Sequence, residues 1–195
     1  MYISQNLVRR YMDISIIMIG SNFYNQLDQS MESIANQSDV DDIDYELILV
    51  NAGTSDRGQT DSKIADWKRK IINFKPFDFL AIKHPGGLEL GDYADLARNM
   101  ATGTVAIYLP PFDIMAKNRV STIFNLFNKI YNIGNHVIVS DYVKNNLVID
   151  VSNKTRFVAI PGLCIAHNLP CGLDEPYEIH YNPIIAGTYN KIKGR

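Results

Sequence analysis

The stretch that decides the fold is Ala101–Asp113, with the sequence ATGTVAIYLPPFD. Its middle part, Val105–Leu109, is a short apolar run that follows a glycine and stops at two prolines, which is typical of a strand buried on both faces. Open α/β sheets bind their ligands at the carboxyl edge of such strands. The segment Pro110–Asp113 is therefore expected to face a functional cleft, although only Asp113 in it can ligate a metal ion or move a proton.

The composition is that of an ordinary globular protein. The chain has 195 residues, of which 46% are hydrophobic and 21% charged, with a formal net charge of −2. One domain with a sizeable core is expected, and no strongly basic field favours nucleic acid as a partner. No apolar run approaches the roughly 20 residues that span a bilayer. We therefore expect a cytoplasmic protein in which Cys164 and Cys171 are reduced thiols, with a disulfide as the alternative.

Apolar runs alternate with amphipathic stretches along the first 140 residues. Strands are predicted at Ile14–Ile19, Glu46–Val50, Phe79–Lys83, Val105–Leu109 and His136–Ser140. Helices are predicted from about Gln26 to Gln37, Asp61 to Asn73, Gly91 to Met100 and Lys117 to Tyr131. This alternation predicts an α/β fold in which a mostly parallel sheet carries helices on both faces.

The pattern weakens after residue 140. Later strands are predicted at Leu147–Val151 and Arg156–Ile160, which could form a hairpin. The stretch Pro161–Asn168 is interpreted as irregular and apolar, and the chain from Pro170 onward as a loop.

Small and polar residues follow the first two predicted strands. Gly20-Ser21-Asn22 ends the first strand, and Asn51 begins a small, polar stretch that ends at Asp56. Small residues let a ligand approach the backbone, and Asn51 or Asp56 could accept hydrogen bonds from a base or ribose. The alternative is a tight βα turn with a capping Asp or Ser.

The order of these motifs resembles a family-2 glycosyltransferase of the GT-A fold. Ile14–Ser38 ends in SIANQS, as the family's first strand and helix end in a phrase like S-I-x-x-Q-S. Glu46–Asp56 (ELILVNAGTSD) corresponds to its second strand with D-D-G-S-T-D. Ala101–Asp113 corresponds to A-T-G, a strand and the metal-binding D-x-D, and Gly172–Glu175 to G-F-D-E. The resemblance covers about Asp13–Glu175.

The resemblance implies a single GT-A-like (Rossmann-like) domain over residues 1–195. It has a leader (1–13), a nucleotide-sugar-binding half (14–115) and a short acceptor half (116–195). The implied function is transfer of a sugar from a nucleotide-sugar donor to a glycan or other acceptor in polysaccharide biosynthesis, with a protein partner or a second copy as a further partner. The implied residues are Ser21, Asn22, Asn51, Gly53, Asp95 and Arg98 for the nucleotide sugar, Asp174 or Glu175 as catalytic base, and Asp113 for a metal.

Several positions depart from the family's pattern. Ala52 stands where the family has a second nucleotide-binding acid, and Pro110 and Phe112 replace both acids of D-x-D. A divalent ion (Mn²⁺ or Mg²⁺) on a diphosphate needs oxygen ligands, so little or no metal dependence is expected. His167 or His180 could add a ligand, or be an ordinary polar residue.

Two alternatives to an active transferase stay open. One is a degenerate relative that keeps the fold and acts as a binding or assembly subunit, because apolar residues occupy the D-x-D positions. The other is an unrelated α/β nucleotide-binding protein, which the lack of a P-loop and of G-x-G-x-x-G disfavours. Arg98 likewise has two interpretations: it clamps a phosphate, or, as we slightly favour, it pairs with Asp95 or Asp92 on its helix.

Overall fold

A computed structural model of the protein describes residues 12–21, 24–25, 27–53, 58–71, 78–84, 86–130, 136–140, 142–144, 147–149, 165–168, 178–182 and 187–188, with side chains up to residue 129. The strands are β1 (Met12–Gly20), β2 (Tyr45–Ala52), β3 (Asp78–His84), β4 (Gly103–Tyr108), β5 (Ile114–Met115), β6 (His136–Ser140), β7 (Tyr142–Lys144), β8 (Leu147–Ile149), β9 (Ile165–Asn168), β10 (Glu178–Asn182) and β11 (Gly187–Thr188). The helices are α1 (Leu27–Ala35), α2 (Gln59–Lys70), α3 (Leu90–Met100) and α4 (Arg119–Ile130). None of these helices has the length and apolar character needed to cross a membrane.

Seven strands form the main sheet, in the order β10-β6-β9-β4-β1-β2-β3. Every pair is parallel except the two that β9 makes, with β4 and with β6. The mostly parallel sheet and the five strands and four helices predicted along residues 14–140 are confirmed. A second, four-stranded sheet has the order β5-β11-β7-β8.

Helices cover both faces of the main sheet, as predicted. Apolar side chains of α1, α2 and α4 pack on one face with Ile16, Leu47 and Ile107. Tyr93 and Ala97 of α3 pack on the other face. Neighbouring strand residues point to opposite faces, so a strand covered on both sides needs an unbroken apolar run. This requirement explains why β1 and β2 were easy to recognise in the sequence.

The strand order reverses between β1 and β4, which is the switch point of the sheet. The chain adds β2 and then β3 on one side of β1, and then crosses back to place β4 on the other side. Right-handed crossovers therefore put α2 on one face and α3 on the opposite face. The connections that leave the carboxyl ends of β2 and β3 lead to opposite faces of the sheet. These ends belong to the carboxyl edge of the sheet, where open α/β sheets bind ligands, and β2 lies next to β1 at the switch point.

A buried polar network joins the amino ends of the central strands. Glu46 of β2 is only 6% exposed, and its Oε1 accepts hydrogen bonds from Ser15 Oγ (2.7 Å), Thr102 N (2.6 Å) and Thr102 Oγ1 (2.9 Å). Ser15 Oγ in turn accepts a hydrogen bond from Gly103 N at 2.9 Å. The network links β1, β2 and the start of β4, and satisfies polar groups that are costly to bury alone.

A second polar contact joins α1 to α2. Asp28 accepts hydrogen bonds from Lys63 Nζ (2.6 Å) and from the indole nitrogen of the buried Trp67 (2.8 Å). Burial raises the pKa of Asp28, but the hydrogen bonds from Lys63 and Trp67 outweigh it and hold this pKa below its usual value. The ionised carboxylate therefore ties the two helices together.

Two predictions for the later part of the chain were wrong. Pro161–Asn168 was expected to be irregular, yet Ile165–Asn168 is β9 and lies inside the main sheet between β4 and β6. The chain from Pro170 was expected to be a loop, yet it contains β10 and β11. These strands have two to five residues, too few for a periodic pattern to be recognised.

The strand predicted at Leu147–Val151 is confirmed over Leu147–Ile149, but its antiparallel partner is Tyr142–Lys144. The strand predicted at Arg156–Ile160 lies outside the described residues. So does the leader, apart from Met12 and Asp13 at the start of β1.

Gly103 has no room for a side chain. A Cβ there would lie 2.6 Å from both the backbone nitrogen and Oγ of Ser15. We expect Gly103→Ala to lower the free energy of unfolding in urea by about 2 kcal/mol, since β1 and β4 must move apart.

Gly91→Ala in α3 is the matched control, because a Cβ at Gly91 has no atom within 4 Å. We expect it to raise the free energy of unfolding by about 0.5 kcal/mol. Equal effects of the two substitutions would contradict the close approach of β4 to β1.

Candidate functional site

The candidate site lies at the carboxyl ends of β1, β2 and β3. The sheet register sets Gly20, Asn51 and Lys83 side by side on these three strands. The next register pair is Ala52 and His84. Because successive residues alternate between faces, Asn51 and Lys83 share the face that carries α2, and Ala52 and His84 share the face that carries α3.

Asn51 is the most enclosed polar side chain at this edge, with 1% of its surface exposed. Its Nδ2 donates a hydrogen bond to Asp61 Oδ1 at 2.9 Å. Its Oδ1 is buried and accepts no hydrogen bond from the part of the chain that the structure describes. Buried acceptors are almost always satisfied, so an atom of this kind at a sheet edge is a candidate contact for a ligand.

Asp61 connects two strands through α2. It lies in the first turn of that helix, where a negative charge interacts favourably with the helix dipole. Its Oδ1 accepts from Asn51, and its Oδ2 forms an ion pair with Lys83 Nζ. The Lys83 side chain is 64% exposed, so its ammonium group is accessible at the rim of this sheet edge.

His84 orders the loop that follows β3. Gly86 N donates to Nδ1 of His84 at 3.3 Å, and Leu88 N donates to the Tyr93 hydroxyl at 3.4 Å. The rings of His84 and Tyr93 meet edge to face, with centroids 5.3 Å apart. A backbone amide only donates, so Nδ1 of His84 is the acceptor here.

Asp61, Lys83 and His84 were not among the predicted site residues. Their proximity depends on the register of β2 with β3 and on the position of α2, which no local motif encodes. The one available signal was the polar Lys-His pair that ends the predicted third strand.

The structure pairs Arg98 with Asp95 on α3, which is the surface pairing that the sequence favoured. Arg98 Nη1 also donates to the Tyr108 hydroxyl at 3.3 Å. Burial raises the pKa of Tyr108, and the Arg98 guanidinium opposes this increase. Binding of a nucleotide sugar by Asp95 or Arg98 stays a prediction.

Asp113 differs from the expectation of a side chain that faces a cleft, because it is 0% exposed. Its backbone nitrogen donates to Pro110 O at 3.0 Å, and its carbonyl oxygen accepts from Ser30 Oγ at 2.7 Å. The turn Pro110–Asp113 thus packs against α1. Among the described side chains, no group of three or more His, Cys, Asp or Glu residues could hold a metal ion. The metal-binding role of Asp113 stays a prediction.

The structure describes only some of the other predicted site residues. Ser21 is exposed directly after β1, and Gly53 follows β2 with a φ of 78°, a left-handed conformation that favours glycine. Asn22, Asp174 and Glu175 lie outside the described residues, as does Asp56. His167 and His180 lie in β9 and β10, whose side chains are outside the description.

The fold is similar to solved glycosyltransferase structures. S. aureus TarS 1–349 in complex with UDP-GlcNAc matches with a TM-score of 0.67 at 12% identity, over 94% of this chain and 60% of that one. The chain has a GT-A-like glycosyltransferase fold. S. aureus TarS itself matches with a TM-score of 0.58 at 15% identity, over 70% of this chain and 22% of that one.

A third similar structure comes from another organism. The mannosyltransferase PcManGT from Pyrobaculum calidifontis, in complex with GDP-Man and Mn²⁺, matches with a TM-score of 0.53 at 15% identity. This match covers 70% of this chain and 36% of PcManGT. The chain therefore spans between about a fifth and three fifths of the length of these structures. No protein-family model and no curated protein sequence matches the chain.

Because Asp113 is buried, a stability measurement can distinguish a structural role of its side chain from a metal-binding role. We expect Asp113→Ala to lower the free energy of unfolding by about 2 kcal/mol, because it removes a buried polar group from its contacts. Asp66→Ala on α2 is the control, since it removes only a surface ion pair and should change that free energy by less than about 0.5 kcal/mol. Unchanged stability in Asp113→Ala, together with lost Mn²⁺ binding in calorimetry, would contradict the structural role.

Proposed function

We propose that the chain binds a nucleotide-sugar donor at the carboxyl ends of β2 and β3 and transfers its sugar to a glycan or other acceptor. The observation that carries this proposal is the buried Oδ1 of Asn51, an acceptor with no donor among the described residues, at the carboxyl edge of a GT-A-like sheet. A nucleobase supplies a planar group with N–H donors that can reach such an acceptor.

The surroundings of Asn51 also suit a nucleotide. Gly20 and Gly53 lie at the same edge and carry no side chain, so a ligand can approach the backbone. Lys83 adds a cation at the rim, where an anionic ligand gains from it. The similar structures were solved with UDP-GlcNAc and with GDP-Man, which fits a donor of this class.

The chemistry of transfer needs two more groups. A carboxylate must take the proton of the acceptor hydroxyl as that oxygen attacks the anomeric carbon, and Asp174 or Glu175 is proposed for this role. A cation must stabilise the leaving diphosphate, and Arg98 is proposed for it, with a metal near Asp113 as the alternative. In this proposal residues 14–115 bind the donor, residues 116–195 bind the acceptor, and the protein acts in the cytoplasm.

A second candidate function is that of a catalytically degenerate GT-A-like subunit that binds a ligand or a protein partner. The specific observation in its favour is at the end of β4. Pro110 and Phe112 offer no carboxylate, and the one acid there, Asp113, is fully buried in a turn against α1. A diphosphate that relies on a metal would find no exposed carboxylate in this turn.

Calorimetric titration with UDP, GDP, UDP-GlcNAc and GDP-Man, with and without Mn²⁺, tests both candidates. We expect the protein to bind at least one of them with an affinity that Mn²⁺ changes little. Asn51→Leu should weaken this binding at least about tenfold, because the buried acceptor is lost. Asn125→Ala, at an exposed position on α4, is the matched control and should bind like the unchanged protein.

Sugar release or transfer by the bound complex, followed with a radiolabelled donor, then separates the two candidates. Binding with turnover supports the transferase, and binding without turnover on any acceptor or on water supports the degenerate subunit. Failure to bind any of the four compounds would overturn the nucleotide site.

A further inference from the structure

The side-chain amide of Asn51 has an orientation that its neighbour dictates. An ionised carboxylate has only acceptor atoms, so the group of Asn51 that faces Asp61 must be the NH₂. The structure has this arrangement, with Nδ2 of Asn51 2.9 Å from Oδ1 of Asp61. The oxygen of the amide is thereby turned away from α2 and remains the buried acceptor without a described donor.

Lys83 fixes the other half of the same carboxylate. Its ammonium pairs with Oδ2 of Asp61, so the two oxygens have separate donors on two neighbouring strands. An ammonium only donates, so of the two ends of an amide at position 61 it can pair only with the oxygen. Lys83 consequently holds Oδ2 of Asp61, while Oδ1 of Asp61 determines the orientation of the Asn51 amide.

An amide that presents only its oxygen discriminates between nucleobases by whether the ring nitrogen opposite it carries a hydrogen. Uracil and guanine carry a ring N–H beside a carbonyl group and can donate to Oδ1 of Asn51. Cytosine and adenine have an unprotonated ring nitrogen at the corresponding position, and their donor on this edge is the exocyclic amino group beside it. In a base held with its ring nitrogen opposite Oδ1, that nitrogen would face the oxygen as a second acceptor. Two acceptors left facing each other in a buried site lose a hydrogen bond and gain repulsion.

We propose that Asp61 is a positioning residue that sets the base specificity of the site: by holding the Asn51 amide with its oxygen toward the ligand, it selects nucleotides whose base carries a ring N–H donor. This inference rests on the proposed nucleotide site and goes beyond it, because Asp61 itself does not touch the ligand. The selected class comprises uridine and guanosine diphosphates and their sugars.

The isosteric substitution Asp61→Asn reverses the orientation. Lys83 can pair only with the oxygen of the new amide, which favours the orientation with this oxygen toward Lys83 and the NH₂ toward Asn51. Asn51 then turns its own oxygen toward position 61 and presents its NH₂ to the ligand. A ring nitrogen that accepts, as in cytosine or adenine, becomes the better partner.

The test is calorimetry of the full chain with UDP, GDP, CDP and ADP. For the unchanged protein we expect UDP or GDP to bind at least about tenfold more tightly than CDP and ADP. In Asp61→Asn the preference should fall to within about threefold or reverse, and CDP or ADP should bind more tightly than it does to the unchanged protein. A gain in affinity for one class of base is a result that mere loosening of the site does not produce.

Asp66→Asn is the matched control, because it makes the same charge change on the same helix, in a surface pair with Arg69. It should keep the original preference. If Asp61→Asn does not fold, as judged by its thermal unfolding, Asp61→Ser replaces it: a hydroxyl both donates and accepts, so both amide orientations become available and the preference should approach unity.

The outcomes distinguish this inference from the proposed function. A folded Asp61→Asn or Asp61→Ser protein that keeps the original preference overturns the role of Asp61 and leaves the nucleotide site intact. An unchanged protein that binds CDP and ADP as well as UDP and GDP also overturns it. If the unchanged protein binds none of the four nucleotides, both the site and the inference fail.

Discussion

The structure depends on the parallel pairing of β1 with β2 on one side and with β4 on the other. Ile14 is the partner of Tyr45 in one pair and of Val105 in the other, so a single strand aligns both halves of the sheet. The apolar run of β1 is buried on both faces, and the Ser15–Glu46 network satisfies its polar side chain at the amino end. A slip of one residue would exchange the two faces of the strand and bury the wrong side chains.

The candidate function follows from this alignment. Since β2 and β3 are added on one side of β1 and β4 on the other, the chain must reverse direction after β3, and the helices after β2 and β3 lie on opposite faces. Asn51 and Lys83 lie at the carboxyl ends of these two strands, where Asp61 of α2 connects them. The amide of Asn51 thus combines burial with an acceptor that has no donor among the described residues, as a preorganised ligand contact does.

Much of the central sheet could be predicted from the sequence, because Ile14–Ile19 and Glu46–Val50 are continuous apolar runs of strand length. The pairing of Arg98 with Asp95 also follows from local spacing on a helix. β9 was missed because a four-residue strand has no readable period, although it joins β4 to β6. Within the site, Asn51 was found from its place after a strand, whereas Asp61 and Lys83 depend on register and helix packing.

The measurement that tests the central claim most directly is a ¹⁵N-resolved NMR titration of the full chain with UDP and with GDP. We predict that the side-chain NH₂ signals of Asn51 and the backbone amides of Ala52 and Lys83 shift on addition of one of these nucleotides. The signals of the Thr102 and Gly103 amides, at the opposite end of the strands, should not shift. Shifts confined to other parts of the chain, with Asn51 unchanged, would contradict a nucleotide site at the carboxyl ends of β2 and β3.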